Sequence, residues 1–232
     1  MAKIISLLLI LCISNYTDQY VFEKVSLDLH TRTARDGKMS ITRAQIFYNA
    51  NGDMISYYTE PDEVFISNTK KGDVVMYNIR ENTVIQRQNY LFSTENNQLY
   101  FFLEKNKSDL GLSRMGFTIT NTRFEDGLKI TTWVPPLQMR SSVSKVELVH
   151  NKNNPVFLGY YDVAGGFQKK VYFYKYETHF GISIPTNLTQ ISFASPKDSI
   201  VSKTIYSNIK FDEEVTDEYF NFQIPSSVVV IK

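Results

Sequence analysis

From Val21 to the C-terminal end, apolar residues recur at every second position and turn-forming residues break the pattern at intervals of about 8 to 12 residues. That period constrains the chain more than any other feature it has. A helix repeats near 3.6 residues, whereas a strand puts alternate side chains on opposite faces, so this spacing predicts antiparallel β structure over most of the molecule. Val21, Phe22, Val25, Leu27 and Leu29 belong to a first strand. Arg35-Asp36-Gly37-Lys38 follows as a hairpin turn, because Asp-Gly readily takes the positive φ angles of a primed turn. Met39 to Tyr48 runs back, and Asn51-Gly52 turns the chain again. Met54 to Thr59, Glu63 to Ser67, Asp73 to Asn78 and Thr83 to Gln88 continue as a meander punctuated by Glu60-Pro61 and Lys70-Lys71-Gly72.

The middle of the chain departs from this period. Ser93 and Thr94 are good helix N-caps, and Glu95 to Lys105 carries Leu99, Phe102 and Leu103 on one helical face, which predicts a short helix. A second helical turn is expected between Ser108 and Met115, with Leu110, Leu112 and Met115. Strands resume at Phe117 to Arg123 and, past the Glu125-Asp126-Gly127 turn, at Leu128 to Val134 before Pro135-Pro136. The later strands are Val143 to His150, Val156 to Tyr161, Lys169 to Glu177, Leu188 to Ala194 and Ser199 to Ile209. The turns between them are Asn151 to Pro155, Ala164-Gly165-Gly166 and Ser195-Pro196-Lys197-Asp198, and Thr216 is placed to cap one last helical turn.

A sheet of ten or more strands cannot stay flat, so twist rolls it into a barrel or a deep half-barrel. An apolar helical face in such a chain must bury itself, and the concave side of the sheet is where it can do so. The expected fold class is therefore mainly β, an antiparallel curled sheet under a short helical lid. Pattern leaves two outcomes open beneath that lid, an apolar cavity or a solid core. Strands with two apolar faces favour the cavity: Val171 and Phe173 alternate with Tyr172, Tyr174 and Tyr176, and Phe47-Tyr48 and Tyr57-Tyr58 behave alike.

Met1-Ala2-Lys3, the apolar run Ile4 to Ile13 and the polar tail Ser14 to Gln19 have the layout of a secretory signal. The run is too short for a bilayer span, which needs about 20 apolar residues. The expected organisation is a signal over residues 1–18 and a single domain over 19–232, with a buried first strand as the alternative reading of the apolar run. Cys12 is the one cysteine, and Leu11 before it argues against lipidation, so the mature chain lacks disulfides and thiolate metal sites. With 25 basic and 24 acidic residues and no long charge block, the chain does not suit nucleic acid. Its 10 Gly and 7 Pro exclude collagenous and linker-like classes.

Catalytic patterns are missing. His30, His150 and His179 lie far apart without metal-ligand spacing, and no nucleophile elbow or phosphate-binding loop occurs. Gly165-Gly166 reads as a turn, Glu213-Glu214 and Asp217-Glu218 as a solvated face, and Trp133 as core or rim. Asn15, Asn106 and Asn187 open N-x-[ST] triplets, which matter only in a eukaryotic secretory route. No cofactor, metal or catalytic group is expected.

The order of motifs resembles the LolA/LolB-like outer-membrane lipoprotein carriers, in a Bacteroidetes-type branch. The resemblance runs from Arg43 through Asn51-Gly52, Tyr57-Tyr58, Glu60-Pro61, Val64 to Ser67, Gly72 and Val75 to Asn78. It resumes with Lys145 to His150, Val156 to Asp162, Val171 to Tyr176, Ile184-Pro185, Lys203 to Ile209 and Phe220 to Pro225. It implies an unclosed barrel whose helical lid covers a hydrophobic cavity for the acyl chains of lipoproteins or other lipids. It also implies a monomer in the periplasm, with inner- and outer-membrane lipoprotein-sorting proteins as partners. Phe47, Tyr57, Phe173 and Tyr174 are the expected cavity walls, and Leu99, Phe102, Leu103, Leu110 and Met115 the expected lid. Arg43 falls where such carriers have a basic residue bonded to the lid. The family's helix before the first strand has no counterpart here. An envelope interaction or lipoprotein-sensing module with a filled core and no transport role is the alternative.

Overall fold

The computed structural model describes residues 21–103, 109–195 and 198–231. The signal expected over residues 1–18, with Cys12, lies outside them, as do residues 104–108 of the expected helical region and Pro196-Lys197 of one expected turn. Fourteen strands form the fold: β1 (Lys24–Arg35), β2 (Lys38–Asn49), β3 (Met54–Glu60), β4 (Val64–Asn68), β5 (Asp73–Asn78), β6 (Thr83–Gln88), β7 (Thr118–Glu125), β8 (Leu128–Val134), β9 (Lys145–Asn151), β10 (Asn154–Tyr161), β11 (Phe167–His179), β12 (Ile182–Ser195), β13 (Asp198–Phe211) and β14 (Val229–Ile231). Among the described residues one six-residue α-helix, α1 (Gln98–Leu103), precedes β7.

Local chemistry explains the hairpins. Asp36 and Gly37 both take positive φ (49° and 71°), as do Asp126 and Gly127 (50° and 78°), the backbone a two-residue primed turn needs. A third such turn, Phe180-Gly181, joins β11 to β12 with φ of 51° and 79°. The sequence pattern does not announce it, because phenylalanine is a poor turn residue, and β12 consequently starts at Ile182 rather than at Leu188. The first strand begins at Lys24, two residues past the expected Val21-Phe22. In place of a second helix, residues 109–116 form a string of hydrogen-bonded turns, and β14 is a strand that the pattern did not mark.

All fourteen strands join one open, curled sheet in the order β14-β6-β5-β4-β3-β2-β1-β13-β12-β11-β10-β9-β8-β7. Two meanders, β1–β6 and β7–β13, meet back to back along the β1/β13 pair. The ladder is antiparallel except where β14 adds beside β6 in parallel. This order fixes the two non-strand segments. The chain between β6 and β7 must pass from one end of the sheet to the other, and its described residues, 89–103 and 109–117, pack on the inner face. The chain leaving β13, at the centre, runs over the outer face to β6.

Each face therefore has its own core. On the inner face Val25, Leu27, Ile46, Tyr48, Val146, Leu148, Leu158, Val171, Phe173, Ile184, Leu188 and Tyr206 pack with Leu99, Phe102, Leu103, Leu110, Leu112 and Phe117 of the crossing segment. On the outer face Phe47, Ile55, Phe65, Tyr77 and Val84 pack under Val215, Tyr219, Phe220, Phe222 and Ile224. Alternation along β11 shows how strictly the pleat sorts residues: Phe173 is buried against Phe102, with ring centroids 5.3 Å apart, while Tyr174 faces solvent and shares a hydrogen bond with Thr189. Phe173→Ala should therefore cost about 3–5 kcal/mol in urea unfolding. Tyr174→Ala, one position along, should change stability by no more than about 0.5 kcal/mol.

Candidate functional site

The crossing segment starts with a series of side-chain caps. Asn89 accepts from Leu91 N at 2.9 Å and opens a 3₁₀ turn over Tyr90–Phe92, Ser93 accepts from Glu95 N, and Asn97 Oδ1 accepts from Leu99 N at 2.8 Å at the start of α1. Short polar side chains favour such caps over helix interiors, so this stretch folds as a chain of tight turns and not as one long helix. Bonds to the sheet hold it down: Thr94 Oγ1 donates to Gly52 O at 2.6 Å, Ser93 Oγ to Lys70 O at 2.7 Å, and Asn68 Nδ2 to Phe92 O at 3.0 Å. Gly72 is required at this seam. Its φ is 83°, and a Cβ there would stand 2.2 Å from Asn89 O.

A second clasp lies further along. Arg114 Nη1 donates to Glu95 Oε2 at 2.6 Å and Nη2 to the Glu95 carbonyl, while the guanidinium sits 5.5 Å from the Tyr100 ring centroid and 5.4 Å from that of Phe101. Asp109 accepts from Gly111 N and from Ser113 N and Oγ. Burial pushes its carboxyl up, but these hydrogen bonds outweigh that and hold it below the usual carboxylate range. The two halves of the crossing segment are thus tied to each other by one arginine.

Between this segment and strands β1–β5 lies a hollow of about 370 Å³. Leu29, Ile46, Met54, Ile66, Met76 and Leu99 make much of its wall, and Tyr58 and Tyr206 also line it. Of the polar side chains that line it, Ser93, Thr94 and Asn68 each donate a hydrogen bond to backbone, and Asn97 Oδ1 accepts one from Leu99 N. Burial, helped by neighbouring Tyr58, pushes the Tyr206 hydroxyl up to about 12. The site offers shape and apolar surface and no converging acid–base pair. Among the described residues no group of three or more His, Cys, Asp or Glu is placed to hold a metal ion.

The structure distributes the expected site residues over three environments. Leu99 lines the hollow. Phe102, Leu103, Leu110 and Phe173 are buried in the inner core, where the Phe102 ring packs edge-on against Phe173. Met115 is 42% exposed and outside the hollow. Phe47, Tyr57, Tyr174 and Arg43 lie on strand positions that face outward, away from this hollow. Phe47 stacks on Tyr219 at 4.4 Å, Tyr57 donates to Glu63 and lies 5.3 Å from the Tyr219 ring, and Arg43 pairs with Glu60 at 2.6 Å and not with the lid. The lid bond comes instead from Arg114, within the crossing segment. Trp133 is buried in the inner core, its Nε1 donating to Thr131 Oγ1 at 2.9 Å.

Tyr58, Tyr206, Met54, Ile66 and Met76 are among the wall residues that sequence reasoning missed. The signal for Tyr58 was within reach: Ala44 and Ile46 are inward, and Ala44 pairs with Tyr58 while Gln45 pairs with Tyr57, so strand parity selects the second tyrosine.

No protein-family model matches the sequence, and no curated protein matches it either. Solved structures do match. A LolA superfamily protein from Nitrosomonas europaea superposes with a TM-score of 0.56 at 17% identity, covering 88% of this chain and 92% of that one. A DUF1329 family protein from Desulfovibrio piger gives 0.59 at 16% identity over 86% and 90%. A domain named for outer-membrane lipoprotein sorting, from Vibrio parahaemolyticus, gives 0.58 at 12% identity over 86% and 89%. The chain has the LolA-like fold, as the order of its motifs implied.

Two outcomes are expected. Arg114→Met should speed amide exchange across residues 94–103 at least tenfold while lowering global stability by less than about 1.5 kcal/mol, since the pair it breaks is partly exposed. Alkaline stability carries a second test. An unfolded tyrosine ionises near 10.0, whereas Tyr206 keeps its proton to about 12, so between those values the folded chain holds a proton that the unfolded one has released. Unfolding free energy should fall as pH rises from 10 towards 12, and Tyr206→Phe should flatten that decline.

Proposed function

We propose that this chain is a non-enzymatic, exported binding protein that shelters the acyl chains of a lipoprotein or another lipid in the hollow between its curled sheet and the crossing segment. The observation that carries this reading is the cavity of about 370 Å³ with its wall of aliphatic and thioether side chains. Its size falls within the range of about 300–1,000 Å³ common for small-molecule sites. Transferring an acyl chain from water stabilises the complex by about 0.8 kcal/mol per buried methylene, so ten methylenes supply on the order of 8 kcal/mol, a micromolar affinity. That suits a cargo that must later be given up. The fold shared with a lipoprotein-sorting domain agrees with this role.

Residues 19–232 would act as one monomeric unit in the periplasm after removal of residues 1–18. Lipoprotein-sorting proteins of the inner and outer membranes would be its donor and acceptor. The cargo would enter beside α1, where the exposed Leu91, Phe92 and Asn96 border the hollow. Residues such as Phe102 then support the wall from behind.

Titration with a fluorescent fatty-acid analogue tests this. The protein should bind it saturably in the range of about 1–30 µM. Ile66→Trp, which fills the hollow, should weaken binding at least tenfold with the melting temperature held within a few degrees, and Tyr174→Ala should leave it unchanged. No saturable binding up to about 100 µM, or binding indifferent to Ile66→Trp, would overturn the reading.

A further inference from the structure

The outer face of the sheet is covered over only one half. There, the chain's own residues 212–222 lie across β1–β6. This segment is both acidic and aromatic: it holds Asp212, Glu213, Glu214, Asp217 and Glu218 together with Tyr219, Phe220 and Phe222. It is held by both chemistries. Tyr219 stacks on Phe47 and Phe222 on Phe65, each at 4.4 Å between centroids, while Lys24 reaches Asp217 and the Asp212 carboxylate accepts from Glu23 N at 2.6 Å.

The other half, over β9–β13, presents a comparable surface with nothing on it among the described residues. Phe157, Tyr161, Phe167 and Tyr172 gather around Gly159: the Tyr161 and Phe167 centroids are 4.3 Å apart, those of Phe157 and Tyr172 5.2 Å. The glycine makes room for them, since a Cβ at position 159 would stand 2.8 Å from the Phe157 ring and 3.1 Å from that of Phe167. Tyr172 and Tyr174 are each 38% exposed and Ile205 44%. The charge around these rings is positive. Lys170 Nζ lies 3.8 Å from the Phe167 centroid and 5.6 Å from that of Phe193, and Lys145 Nζ 4.3 Å from that of Tyr161. Lys203 is exposed on β13, where its residue pairs with Thr189 next to the β11 tyrosines. Of the acids beside the patch, Glu147 is already engaged by Tyr161, Lys145 and Arg123, and Asp162 accepts from Gly166 N. Lys170 and Lys203 have no acidic partner among the described residues.

We propose that this uncovered half of the outer face docks an acidic, aromatic-bearing peptide segment of a partner protein, in the way that residues 212–222 cover the adjoining half. Aromatic rings of the partner would lie on the Phe157/Tyr172 and Tyr161/Phe167 surface, and its carboxylates would take Lys170 and Lys203. Charge complementarity selects this occupant, because lysines without counter-ions beside exposed rings reward carboxylates and aromatics together. The proposal is independent of lipid binding, since the hollow lies on the opposite face.

A fluorescein-labelled peptide with the sequence of residues 212–222 is the probe, followed by anisotropy against the purified full chain. Saturable binding at tens of micromolar is expected in low salt, weakening at least fivefold between about 20 and 200 mM salt as screening sets in. The double variant Lys170→Glu/Lys203→Glu and the single variant Tyr172→Ser should each weaken it at least fivefold with unchanged melting temperatures. Lys24→Glu, on the half already covered, should not. Absence of binding at about 1 mM, or binding untouched by the double charge reversal, overturns the proposal. So does a protein that ignores the peptide but sediments with vesicles containing phosphatidylglycerol, or that dimerises through this face in a manner lost in the double variant.

Discussion

The structure depends on where the two meanders put their ends. β6 and β7, consecutive in the chain, stand twelve strand positions apart in the sheet. At about 4.8 Å per strand that separation is on the order of 58 Å along the surface. The chain between them is long enough to reach that far, and a sheet curled towards it shortens the path and brings both of its ends over the same inner face. Curl and crossing therefore support each other. A flat sheet would leave the apolar face of α1 and the inner faces of the strands in water.

The hollow follows from how that crossing is made. The segment is held down at its start by the Thr94 and Ser93 bonds to the β3–β5 side of the sheet and further on by Leu110, Leu112 and Phe117 in the inner core. Between them α1 drops Phe102 and Leu103 into the core over β11 and β12. The polar turns of residues 93–97 have no large side chains to send down, so the sheet below them stays uncovered and Met54, Ile66 and Met76 border empty space. The cavity exists because capping residues replace apolar ones at that point of the crossing.

Much of this was legible. The strands from β2 to β9 follow the period of the sequence to within a residue or two, since Asp-Gly and Asn-Gly turns mark their ends and each strand has at least one apolar side. The curled sheet, the inner position of the helix and the burial of Leu99, Phe102 and Leu103 follow from the same reasoning. Two elements were not legible because they lack local signals. The Phe180-Gly181 hairpin forms since the long β11 and β12 strands pair on either side of it, and β14 forms since the chain leaving β13 has an open edge at β6 to add to. The site was half legible for a different reason. Two-sided apolar strands pointed to a cavity, but at Phe47 and Tyr57 the second apolar side packs on the outer face under Tyr219, and at Tyr172 and Tyr174 it stays exposed. Periodicity assigns Phe47 and Tyr48, or Tyr57 and Tyr58, to opposite faces without saying which is inward. Pairing settles it, with Ala44 opposite Tyr58.

The same parity separates what the two faces can do. Inner residues of β1–β5 meet a roof made of caps and turns, so their apolar surface is left available in a partly open recess. Outer residues of β9–β12 meet no roof among the described residues, and their rings stay at the surface beside lysines. A recess takes a flexible apolar chain, which gains by leaving water and needs no specific partner group. An open face gives little by burial alone until something of matching shape and charge lies on it. The chain's own acidic tail shows what such a cover looks like on this sheet. One strand pattern thus yields a non-directional site on one side and a charge-selective one on the other, and a substitution at a single strand position can alter one without reaching the other.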